Sequence, residues 1–249
     1  QWGIGDLDPC PYDKVADFCA LCARYGLYVE FTAYTSTFDT GHWDRLADAV
    51  RGLTNVILEL VNENDQSANT IDTNAYHSHD WVPCSHGSNG SQQHPVRPWW
   101  HYETFHTNGA SEEQRKIGHN AMECSAGAEG LEASGVPTIT NETSRYPDVG
   151  MWVNASLERQ EALAYDSAAG AALLNAGSCF HSVHGKASQL WDDSEAAVAR
   201  AWAAGARSVP LEFQDGSYLH RSDLEAAGVL RAYERRLGDG RGHVVLIRA

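Results

Sequence analysis

Positive charge is scarce in this 249-residue sequence: 18 Lys and Arg stand against 33 Asp and Glu, a net charge of −15. Nucleic acids and anionic membranes are bound through clustered positive charge, so neither is expected as a partner. Long hydrophobic runs are also lacking. Runs such as Val56-Ile57-Leu58 fall far short of the roughly 20 apolar residues that a membrane-spanning helix needs. No glycine-rich phosphate or dinucleotide loop follows a strand-like segment, which weakens a nucleotide-binding reading. The chain opens Gln1-Trp2-Gly3 without an initiator Met or a basic-then-apolar leader, and the expectation is a removed leader or a fragment.

Apolar residues make up 43% and charged residues 20%, a balance that folds into a globular domain rather than a disordered chain. The length suits one large domain or two small ones. The six cysteines allow 15 pairings, and nothing in the sequence selects one, so the redox compartment stays open. Cys19-x-x-Cys22 has the form of a redox or zinc motif. Yet Val15, Phe18, Cys19 and Cys22 fall on one apolar helix face, and no second zinc-spaced pair follows, so they read as core.

Helix and strand signals alternate along the chain. A helix from Tyr12 to about Tyr25, stopped by Gly26, leads into a strand at 27–34 rich in aromatic and β-branched residues. Trp43, Leu46, Ala47 and Val50 mark a second helix, and Val56–Val61 a second strand. Residues 62–80 are polar and carry no convincing element. Further strands are predicted around 81–84, 100–106, 136–140, 177–181 and 244–247. Helices are predicted from Ser111, a capping-box position with Gln114, and over about 157–175 and 195–204. Such alternation with short connections implies βαβ units and a parallel sheet, in a doubly wound or a barrel arrangement.

Several predicted strands end in polar or aromatic groups: Tyr34, Asn62-Glu63, His106, Asn141-Glu142 and His181. In a (β/α)₈ barrel all strand carboxyl ends open onto one face, where these side chains would converge. Two carboxylates on such a face are the minimum equipment for glycoside hydrolysis. A separation of about 5–5.5 Å gives retention through a covalent intermediate, and roughly 6.5–9.5 Å gives inversion.

The segment from Asn55 to Asn64, with Asn62-Glu63 closing an apolar strand, resembles the fourth-strand signature of clan A glycoside hydrolases, in particular the family 5 cellulase and mannanase group. Val136-Pro137-Thr138-Ile139-Thr140-Asn141-Glu142 is similar to the seventh strand of the same clan, and His106 to its sixth-strand histidine. The resemblance covers roughly residues 12–192. It implies a (β/α)₈ TIM barrel, with Glu63 as general acid and then base, Glu142 as nucleophile, and Asn62 bonded to the sugar 2-hydroxyl. His106, Tyr34, His181 and Trp191 would contribute to substrate binding. The partner implied is a β-linked carbohydrate, with no metal and no cofactor. A secreted or extracytoplasmic setting suits such a substrate. Two departures mark a divergent member: His106-Thr107-Asn108 replaces the usual His-x-Tyr, and Phe180-His181-Ser182-Val183-His184 stands where the eighth strand usually ends in Trp.

If Glu63 ends the fourth strand, the residues before Val56 hold too few elements. The expectation is therefore an N-terminally truncated barrel over residues 1–208 with about six of its eight βα units, followed by a 209–249 extension with a helix and a strand. Two other functions stay open. One is a non-catalytic carbohydrate-binding barrel or inactive fragment. The other is a metal-dependent hydrolase, suggested by the 12 histidines and by His77-x-His79; against it, no strand precedes that pair to give the ligands a rigid support. The loop-flanking tryptophans, Trp81 and Trp100 among them, suit either sugar stacking or packing. Asn89, Asn141 and Asn154 open glycosylation sequons; the one at Asn141 reads as chance, since a glycan there would block Glu142.

Overall fold

Val15 and Cys19 are buried on α1 (Tyr12–Arg24), with Cys22 partly buried beside them, so the Cys-x-x-Cys pair packs as the periodicity predicts. Phe18 departs from that face and is 46% exposed. Gly26, at φ +69°, turns the chain out of the helix in the left-handed conformation that glycine tolerates best. The computed structural model describes residues 11–34, 41–62, 71–87, 100–106, 137–142, 155–178, 180, 192–226 and 228–248. The chain divides into two compact units, Gln1–Phe105 and His106–Ala249.

In the first unit β1 (Val29–Tyr34) and β2 (Val56–Val61) pair in parallel, Val29 opposite Val56 and Tyr34 opposite Val61. Parallel pairing needs a crossover, and α2 (His42–Ala49) lies within it, burying Trp43, Leu46 and Ala47. The short β3 (Cys84–Ser85) joins the other edge of β2 in parallel. The core gathers Phe31, Ala33, Leu58, Leu60 and Cys84 with the buried faces of both helices. β4 (Glu103–His106) follows at the junction of the two units.

In the second unit β5 (Thr138–Glu142) pairs in parallel with β6 (Ala176–Ser178), Thr138 opposite Ala176. The helix between them, α3 (Leu157–Leu173), starts at Ser156, whose side chain accepts the Arg159 N–H. α4 (Asp193–Ser208) starts at Asp192, which caps Glu195 N–H, as short polar residues do at helix starts. α3 and α4 approach so closely at Gly205 that a Cβ there would stand 2.1 Å from Tyr165 O. After α4 come β7 (Ser217–His220), β8 (Val229–Arg236) and β9 (Gly242–Arg248), an antiparallel meander. Tyr233 and Val245 of this sheet share a core with Ala169, Leu173 and Phe213. The buried Arg235 donates to Leu173 O at 2.7 Å and Gly216 O at 2.9 Å, tying the end of α3 to the sheet.

The expected (β/α)₈ TIM barrel, truncated or whole, does not form. Among the described residues there are four α-helices, and the last sheet is three antiparallel strands. A barrel needs a parallel strand and an outer helix in every unit. Here the described part of the β2–β3 connection carries only the 3₁₀ turn Thr73–Ala75, and α3 buries its end against an antiparallel sheet. Alternation of helix and strand fixes local parallel pairing without fixing closure, so small open sheets satisfy it equally well. The helix expected from Ser111 lies outside the described residues. No helix among the described residues is long and apolar enough to cross a membrane.

Candidate functional site

β1 and β2 finish side by side, and Asn62 N–H donates to Tyr34 O at 3.1 Å, extending the ladder one residue past β2. Gly87 lies against this end. A Cβ on Gly87 would meet Val61 O at 1.9 Å, and its φ of +113° is one that L side chains rarely adopt. The chain leaving β3 is thus pressed onto the last residue of β2, where only glycine fits. Asn62 is partly exposed there.

Tyr34 is 1% exposed. Its hydroxyl accepts Trp43 N–H at 3.3 Å, and its ring packs against His42 and Tyr76. His42 Nδ1 in turn hydrogen-bonds the Tyr12 hydroxyl. Tyr34 therefore locks the strand end to the start of α2, and its hydroxyl is already engaged by backbone. Trp100 packs on Trp43 and His86. Trp81 donates its indole N–H to Ala47 O at 3.0 Å and carries Arg51 over its ring, so both tryptophans serve packing in the first unit.

Of the other residues named from sequence, Glu63, His181 and Trp191 lie outside the described residues. For His106 and Glu142 the backbone is described: His106 is the last residue of β4, and Glu142 the last of β5.

A polar row crosses the first sheet. Thr32 of β1, Glu59 of β2 and Ser85 of β3 stand in register and hence on one face. Thr32 Oγ1 donates to Glu59 Oε2 at 2.6 Å, the Ser85 and Thr104 hydroxyls bond at 2.9 Å, and Tyr102 donates to Glu30 Oε1 at 3.0 Å. Glu59 has no exposed surface, and Ser85, Tyr102 and Thr104 are all buried. Burial first, then the Glu30 and Glu59 carboxyls, push the Tyr102 phenol well above its ordinary pKa, so Tyr102 remains a proton donor at neutral pH. The row is a satisfied polar core on the face opposite Leu58 and Leu60.

One group among the described residues offers metal-ligand chemistry: Asp44, His77 and His79, whose ligand atoms all lie within 4.8 Å of one another. Burial, then the neighbouring His77, lower the pKa of His79 against the pull of Asp44 and Asp48. The imidazole is thereby held neutral, the form that carries a free lone pair.

Sequence reasoning identified His77 and His79 but not Asp44, which comes from a different element. It also missed Glu59 and Tyr102. The signal for Glu59 was there: a charged residue inside the apolar run Val56–Val61, in a strand covered on both faces, needs a partner of its own. No protein-family model, curated protein or solved structure matches this chain.

Proposed function

We propose that this protein is a retaining glycoside hydrolase acting on a β-linked oligo- or polysaccharide, with Glu142 as nucleophile and Glu63 as general acid and then base. The observation that carries the reading is the position of the two Asn-Glu pairs. Asn62-Glu63 directly follows β2, whose partner β1 runs parallel to it, and Asn141-Glu142 closes β5, parallel to β6. In open α/β sheets, ligands bind outside the carboxyl ends of parallel strands. Each pair therefore stands at the end of a parallel strand, a position where a ligand site can form without a closed barrel.

The chemistry needs the two carboxyls in different protonation states. Ionised Glu142 attacks the anomeric carbon while protonated Glu63 delivers its proton to the departing glycosidic oxygen. Forming the glycosyl ester removes the negative charge of Glu142, which lowers the pKa of Glu63. Glu63 then takes a proton from water as the water attacks the ester, and Glu142 leaves as carboxylate. Asn62, held by Tyr34 O, would fix the orientation of the sugar 2-hydroxyl.

The test is hydrolysis of soluble β-glucan and β-mannan by the full chain and its variants. Glu142→Gln and Glu63→Gln should each lower kcat about 10²–10⁴-fold or more, and NMR of the first product should show the anomeric configuration retained. Oligosaccharide binding without turnover in the parent chain, or turnover that Glu142→Gln leaves intact, overturns the reading. Inverted product overturns the nucleophile assignment.

A further inference from the structure

Asp44 projects from the first turn of α2, and His77 and His79 follow the 3₁₀ turn at Thr73–Ala75. His79 Nε2 lies 3.3 Å from Asp44 Oδ1, and His77 Nε2 lies 3.8 Å from the same oxygen. Two ligand atoms bound at about 2.0–2.1 Å to a tetrahedral ion stand roughly 3.3–3.4 Å apart. The Asp44–His79 edge already has that length. His77 is 70% exposed at its side chain and Asp44 55%, so both are free to close the second edge by small rotations.

His79 supplies the independent sign of a missing ligand. Its side chain is 4% exposed, and its Nε2 is buried without a hydrogen-bond partner, the Asp44 contact lacking hydrogen-bond geometry. A buried ring nitrogen left unsatisfied costs free energy, and a metal ion in the triangle would use it.

The support that the sequence around His77 lacks is provided by packing. Trp43 Nε1 donates to His77 O at 2.8 Å. The His79 ring lies between Trp43 and Trp81, with centroids at 5.6 and 4.8 Å, and Trp81 is itself bonded to α2 through Ala47 O. The ligand-bearing segment is thus gripped by the helix that carries Asp44, the rigid backing that metal sites require.

We infer that Asp44, His77 and His79 form a zinc-class metal site, binding the ion through one carboxylate oxygen and two imidazole nitrogens with a fourth position open to solvent. Two nitrogens and one oxygen select a late first-row divalent ion over Mg²⁺ and Ca²⁺, which take mostly or only oxygen. Such an ion would clip the segment around residues 77–79 to α2. The site shares no residue with Glu63 and Glu142, so its test is independent of the hydrolase reading.

The full chain, stripped with chelator, should bind one equivalent of Zn²⁺ in a calorimetric titration, with Mg²⁺ at millimolar concentration failing to compete. Co²⁺ in its place should show the visible absorption of a four-coordinate ion. Asp44→Asn and His77→Gln, both at exposed positions compatible with folding, should each weaken binding at least about tenfold. Circular dichroism of the two variants should match the parent chain. Absence of saturable Zn²⁺ binding overturns the inference. So does Zn²⁺ binding that survives unchanged in the double variant, since the other histidines would then be the ligands.

Discussion

Thr32 and Glu59 face each other across β1 and β2, and the Thr32 hydroxyl donates a 2.6 Å hydrogen bond to a carboxylate with no exposed surface. Removing a donor from a buried acceptor costs about 1–3 kcal/mol, more than the net value of the bond itself. Thr32→Val should therefore lower the unfolding free energy by that amount in a urea titration. The double variant Thr32→Val, Glu59→Leu should cost less than the sum of the two single variants, because it removes the charge as well as its donor. Additive costs would show that the pair is not coupled.

Tyr102 gives the first unit a limit at alkaline pH. Its phenol is pushed well above the ordinary tyrosine value, by burial first and then by Glu30 and Glu59. A group whose pKa is raised by folding contributes stability that is complete below its unfolded value, near pH 10, and is lost as pH rises through the folded value. The melting temperature should therefore fall above about pH 10, and Tyr102→Phe should flatten that fall. In the folded parent chain, ultraviolet absorbance should show at least one more tyrosine that fails to ionise near pH 10 than in the folded Tyr102→Phe variant. Equal slopes of Tm against pH in parent and variant would contradict this.

How much of this was legible in the sequence depends on where each element finds its partner. α1, β1, α2 and β2 were readable because their apolar periodicities are complete within each segment, and Gly26 marks the first stop. β8 was not: Arg231-Ala232-Tyr233-Glu234-Arg235-Arg236 is dominated by charge, and its place in a sheet depends on pairing with β7 and β9. Arg235 is buried there through carbonyls of Leu173 and Gly216, distant in sequence. Alternation left doubly wound and barrel arrangements open, and the barrel rested on the resemblance of the two Asn-Glu segments; local motifs, like alternation, are silent on closure. At the candidate sites the same rule holds. Asn62 was nameable because its motif is contiguous, whereas Asp44 joins His77 and His79 only through the packing of Trp43 and Trp81.

The three thiols described in the first unit are expected to be slow nucleophiles. Cys19, Cys22 and Cys84 are free. Burial pushes Cys19 and Cys84 up to about 11, with Cys22 adding to the rise at Cys19. The thiolate is the reactive form, so at pH 8 both should resist iodoacetamide in the native protein and react promptly in urea. Cys22, partly exposed and raised by burial, should react ahead of both but more slowly than a free cysteine. Peptide mapping by mass spectrometry distinguishes the positions. Rapid native labelling at Cys19 or Cys84 would contradict the packing of α1 and β3.

Gly87 connects stability to the proposed chemistry. A Cβ there would stand 1.9 Å from Val61 O, at a φ of +113°, so Gly87→Ala forces the end of β2 or the chain leaving β3 to move. Strained backbone and overpacking together suggest a loss of about 2–4 kcal/mol. Val61 is followed by Asn62 and Glu63, so the displacement falls on the residues proposed to orient the sugar and deliver the proton. Misplacing a catalytic group by about 1 Å can cost on the order of 100-fold in rate. Thr32→Val provides the control, because it weakens the same sheet in mid-strand and leaves the β2 end in place. At a temperature where both variants are folded, Gly87→Ala should lose kcat on β-glucan or β-mannan at least about tenfold, while Thr32→Val keeps the parent value. If both variants keep full turnover, the carboxyl end of β2 does not position the reaction. If both lose it equally, activity follows stability alone and the strand end has no special role.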